Sequence, residues 1–103
     1  MQRVNAIPKR LQWELNNALF ALSPEGVLVY QDPMIGALAN PEKQLAVVVN
    51  LKKACLELKV REEVKQRFDL RVGTRQACRE AFHAYFTAFE SLVVIERQAV
   101  KAA

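Results

Sequence analysis

Residues 40–73 read NPEKQLAVVVNLKKACLELKVREEVKQRFDLRVG, and the fold turns on whether they form one helix or several strands. Asn40-Pro41-Glu42 has the composition of a helix start. It offers a capping side chain, a proline for the first position and an acid near the positive end of the helix dipole. Downstream, Leu45, Ala46, Val47, Val48, Val49, Leu51, Ala54, Cys55, Leu56 and Leu58 would stand nearly all round a helix. Lys52, Lys53 and Lys59 break that ring, and the pattern then narrows to Val60, Val64 and Phe68 on one side. The Val47–Val49 run also suits a strand. The cap and the 3.6-residue spacing favour a helix from Pro41 to Phe68.

Beyond it, Asp69-Leu70-Arg71-Val72-Gly73 reads as a tight connector, and Thr74 as the cap of a last helix reaching Val100. At about 100° per residue, one side of that helix collects Ala77, Cys78, Ala81, Phe82, Tyr85, Phe86, Ala88, Phe89, Leu92, Val93 and Ile95. The arc covers roughly half the circumference, wider than the stripe of an ordinary surface helix, so it needs cover from two directions. Upstream, residues 1–7 read as a frayed end and Pro8 fits a first helical turn. The first helix would run from Pro8 to Leu22. Leu11, Leu15, Ala18, Leu19 and Leu22 form its core stripe, with Trp13 and Phe20 on the opposite side.

Between these helices, Ser23-Pro24-Glu25-Gly26 is a turn by composition and Val27–Tyr30 an extended connector packed on the helices. Asp32-Pro33 opens a short helical turn through Ala39, weakened by Gly36. The expected fold class is therefore all-α: a small helical bundle of three main helices, the second and third forming a long antiparallel hairpin. With 103 residues the chain is one helical domain, 1–103.

Hydrophobic residues make up 51% and charged residues 25%, which is globular rather than disordered composition. No run approaches the roughly 20 apolar residues of a membrane span, and a soluble cytoplasmic protein with no membrane partner is expected. Cys55 and Cys78 sit in no paired motif, and His83 is the only histidine, so no metal set is formed and both thiols read as small buried hydrophobes. A Cys55–Cys78 bridge would require antiparallel neighbouring helices and does not suit a reducing compartment.

Catalytic and cofactor sites are not expected. Glu62 and Glu63 are adjacent and diverge on a helix, His83 has no partner at helical spacing, and three glycines make no phosphate loop. The charge distribution is more informative. Residues 59–79 hold seven basic groups and three acids, which is the whole net excess of +4. Arg61, Lys65, Arg67, Arg71, Arg75, Gln76, Arg79 and His83 form the candidate anion or nucleic-acid surface, in outline a helix, turn and helix. Trp13, Phe20, Phe82, Phe86 and Phe89 form the candidate oligomer or partner surface. Three helices with apolar residues on more than one face exceed what a small monomer can cover, so a homo-oligomer is expected. The first functional expectation is a non-enzymatic, self-associating protein that binds a macromolecular protein partner as an adaptor, assembly factor or small regulator. The second is a DNA- or RNA-binding protein using the basic segment 59–79.

Overall fold

A computed structural model of the chain describes residues 7–24, 36–40 and 42–102. Their elements run α1 (Lys9–Leu22), β1 (Gly36–Asn40), β2 (Leu45–Asn50), β3 (Cys55–Val60), β4 (Glu63–Asp69) and α2 (Thr74–Ala102). The four strands form one antiparallel meander in the order β1-β2-β3-β4. The fold is thus α+β, which overturns the all-α bundle. The expected helix from Pro41 to Phe68 is replaced by three strands and their turns, and the expected helical turn ending at Ala39 is overturned where residues 36–39 form β1. The extended connector Val27–Tyr30 lies outside the described residues.

The local chemistry explains how the strands imitate a helix. Asn40 Oδ1 accepts a hydrogen bond from the Lys43 backbone N–H at 3.1 Å, and Asn50 Oδ1 accepts one from Lys53 at 3.1 Å. An N-cap side chain makes the same i to i+3 bond, so asparagine in these places suits a helix start or a hairpin turn equally. Both turns end on a residue in the left-handed region, Gln44 at φ 53° and Ala54 at φ 52°. The β3–β4 hairpin is tighter. Arg61 (φ 51°) and Glu62 (φ 69°) are its two loop residues, the backbone of a type I′ turn built without glycine.

Alternation then decides which strand face is buried. Leu45, Val47 and Val49 of β2 are buried while Ala46, Val48 and Asn50 between them are half-buried. Register sets Val47 opposite Leu58 and Val49 opposite Leu56, so these apolar side chains share one face. Phe68 of β4, opposite Leu56, completes it. The other face carries Glu57, whose Oε2 accepts from Arg67 Nε at 3.2 Å and from Asn50 Nδ2 at 3.4 Å. A bulge displaces the register at Leu58/Lys59, and charged Glu63, Lys65 and Arg67 line β4 at the sheet edge. Both devices discourage further strand pairing.

α2 packs on β2, β3 and β4, and α1 packs on α2. The two-sided cover that the wide apolar arc requires is therefore a sheet on one side and a helix on the other. Ala77, Cys78, Ala81, Phe82 and Tyr85 are buried between these layers, joined by Leu11, Leu15, Ala18 and Leu19 of α1. Ile7, expected to be frayed, is also in this core. Thr74 does not cap α2. Its hydroxyl donates to the Leu70 carbonyl at 3.4 Å, and the Gly73 carbonyl accepts the first helical N–H, from Ala77 at 2.9 Å.

Candidate protein-binding groove

On α2, residues 79–80, 83–84 and 87–88 recur on successive turns of one side. Arg79, Glu80, His83, Ala84, Thr87 and Ala88 form one wall of an open groove of about 880 Å³. Leu58 of β3 with Gln66 and Phe68 of β4 form its base, and Ala21 and Leu22 at the end of α1 close the far side. Leu58 and Phe68 make the base largely apolar because they belong to the buried face of the sheet. The wall is polar at its lip, where Glu80 Oε2 accepts from Gln76 Nε2 at 2.5 Å. Thr87 turns its hydroxyl back onto the His83 carbonyl at 2.9 Å.

The structure scatters the basic segment. Arg61 stands at the β3–β4 hairpin tip, Lys65 at the edge-strand bulge and Arg67 on the sheet face away from α2. Arg71 lies in the β4–α2 connector, and Arg75, Gln76, Arg79 and His83 lie along α2. Four of these cations have acidic neighbours: Lys65–Glu63 at 3.4 Å, Arg67–Glu57 at 3.2 Å, Arg71–Asp69 at 3.2 Å and Arg75–Glu14 at 3.5 Å. The exposed pairs Lys65–Glu63 and Arg71–Asp69 contribute little to stability, about 0–1 kcal/mol each, while Arg67 and Arg75 neutralise the buried carboxylates Glu57 and Glu14; all four reduce the local positive field. Arg61 and Arg79 have no ion-pair partner among the described residues. Only Arg79 and His83 of the eight enter the groove. The helix-turn-helix outline is overturned, because Glu62–Phe68 is hairpin and strand.

The aromatic candidates divide as well. Phe82 is fully buried between the layers, and Phe86 and Phe89 pack half-buried against the core, Phe86 meeting Tyr85 edge-to-face at 5.2 Å. Trp13 and Phe20 are 58% and 67% exposed on α1. Cys55 and Cys78 are free thiols. Burial, with a smaller push from Glu14, holds the Cys78 thiol up at about 12, and burial also raises Cys55 and Tyr85. Cys55 lies in β3 on the face away from α2, so the antiparallel helices that a bridge to Cys78 would require do not form. Hydrogen bonds from the Arg71 backbone and guanidinium hold the Asp69 carboxyl below its usual range. Among the described residues no cluster of three or more His, Cys, Asp or Glu is assembled, and no helix is long and apolar enough to cross a membrane.

Leu58, Gln66, Phe68 and the alanines of the groove were not among the sequence candidates. The alternation Leu56-Glu57-Leu58-Lys59-Val60 and the Asn-x-x-Lys spacing repeated at Asn40 and Asn50 were the available signals. Comparison with protein-family models, curated proteins and solved structures finds no match.

Proposed function

We propose that this chain is a non-enzymatic protein-binding module, whose groove takes an apolar segment of a partner that carries an acidic residue. One observation carries the reading: an apolar lining, Leu58 and Phe68 in the base with Ala84 and Ala88 in the wall, lies beside a guanidinium, Arg79, without an ion-pair partner among the described residues. An apolar segment gains by burial there, and a carboxylate placed over Arg79 fixes its orientation. A helix or strand of the partner would fit the open groove better than a small molecule, which favours an enclosing cavity. Dispersal of the basic residues weighs against a nucleic-acid surface. Two unpaired buried thiols suit a reducing, cytoplasmic setting.

A peptide-display selection tests the reading. The expected binders share apolar residues at i, i+3 or i+4 and an acid at one end. Thr87→Trp, which fills the groove from an exposed position, should abolish binding without lowering the melting temperature. Arg79→Glu should remove the acid preference, and binding of a selected peptide should weaken by about tenfold or more. Peptides insensitive to both changes would refute the groove. Nucleic-acid binding at physiological salt, with no peptide selected, would replace this reading with the alternative.

A further inference from the structure

We infer that the outer face of α1 is a homodimer contact, in which two copies of this helix pack antiparallel about a two-fold axis between Asn16 and Asn17. Trp13 and Phe20 stand seven residues apart on one stripe, separated by about 10.5 Å along the helix. Both are exposed although they are the largest apolar side chains on the helix, and exposed Asn16 and Asn17 lie between them. The stripe is palindromic about the Asn16–Asn17 midpoint. An antiparallel copy therefore sets each Trp13 against the other copy's Phe20, and Asn16 against the other copy's Asn17. This is the isologous arrangement that a closed two-fold dimer requires. Buried aromatics supply most of the energy of such contacts, and paired amides near the axis fix the register.

Charge selects the second copy over another apolar partner. α1 begins with the exposed cations Lys9 and Arg10, has no acid in its first turn and has no basic residue in its last. Within one chain those cations sit at the positive end of their own helix dipole, where they are unfavourable. In the antiparallel pair the same symmetry carries Lys9 and Arg10 to Ser23–Pro24 of the other copy. There they meet a negative helix end that lacks a cation of its own. One rearrangement thus covers both aromatics and corrects both helix ends. None of the stripe residues lines the groove, so this inference and the groove reading fail independently.

Sedimentation of the full chain tests it first. The wild type should sediment at twice the 11.7 kDa chain mass, with weaker association at high salt. Trp13→Ala and Phe20→Ala should each raise the dissociation constant by about 30-fold or more and leave the helical circular dichroism and melting temperature of the monomer unchanged. Asn17→Cys places a thiol beside the proposed axis. Mild oxidation should link it into a dimer, while Lys53→Cys, exposed on the β2–β3 turn, should not link. A wild type that stays at 11.7 kDa up to its solubility limit overturns the inference. So does a dimer that survives both aromatic substitutions, or one that Asn17→Cys fails to link.

Discussion

α1 and α2 each carry apolar residues on more than one face, and they meet opposite fates. On the N-terminal half of α2 the width is used up within the chain: Ala77, Cys78, Ala81, Phe82 and Tyr85 are buried between the sheet and α1, while Val94 and Ile95 further along are exposed. On α1 only one face has a layer to pack on. Leu11, Leu15, Ala18 and Leu19 are buried against α2, while Trp13 and Phe20 remain in water. An apolar face is therefore core or contact according to the number of layers around its helix, and hydrophobicity alone does not distinguish them.

Core truncation is the strongest way to break this contrast. Phe82→Ala should cost about 3–5 kcal/mol in urea unfolding, a large part of the stability of so small a domain, whereas Phe20→Ala should stay within about 0.5 kcal/mol for the monomer. Equal losses at the two positions would erase the distinction. Phe89 falls between them. Only half-buried, it should lose roughly half a core phenylalanine's contribution, about 1.5–2.5 kcal/mol on replacement by alanine. A loss as large as that of Phe82 would mean that the C-terminal half of α2 is more deeply covered than its exposure indicates.

A gain of stability sharpens the contrast from the other side. Arg61 and Glu62 hold positive φ without being glycine, at a cost. Replacing them by Asn-Gly should raise unfolding free energy by about 1 kcal/mol and stiffen the sheet beneath α2. Dimerisation through α1 should be unaffected. Loss of stability instead would show that the two side chains make contacts worth more than the strain they carry.

The smallest effect is confined to alkaline solution. Burial on α2 raises the Cys78 thiol to about 12 when folded, above its ordinary value of 9.0. Folding thus favours the protonated thiol. Its contribution is complete below the unfolded value and is lost as pH climbs from there toward about 12. Near pH 9.5 the loss should be under about 1 kcal/mol. Urea midpoints of wild type and Cys78→Ala between pH 8 and 9.5 isolate it: their difference should shift steadily in favour of the alanine variant. A constant difference would place Cys78 in contact with water and weaken the two-layer account of α2.

Much of this arrangement was legible along the chain, though unevenly. The bounds of α1 and the start of α2 follow from Pro8, Gly73 and the 3.6-residue spacing between them and the helix interiors. The exposure of Trp13 and Phe20 follows from their position opposite the leucine stripe. Arg79 and His83 were legible only as members of a basic surface, not as one side of a groove. Its base was hidden, because Leu58 and Phe68 were assigned to a helix that does not form. The concentration of charge in residues 59–79 was real in sequence and misleading in space. A hairpin and a connector carry its members to different faces.

The sequence by itself determined the two helices and the polarity of their faces, because those depend on neighbours within a turn or two. The tertiary structure alone decided that residues 40–69 are a sheet. Asn40 and Asn50 each make an i to i+3 side-chain bond that suits a helix start and a hairpin turn alike. Pairing of Val47 with Leu58 and of Leu56 with Phe68, under the cover of α2, resolved that local tie, and those contacts join residues too distant in the chain for any local pattern to record.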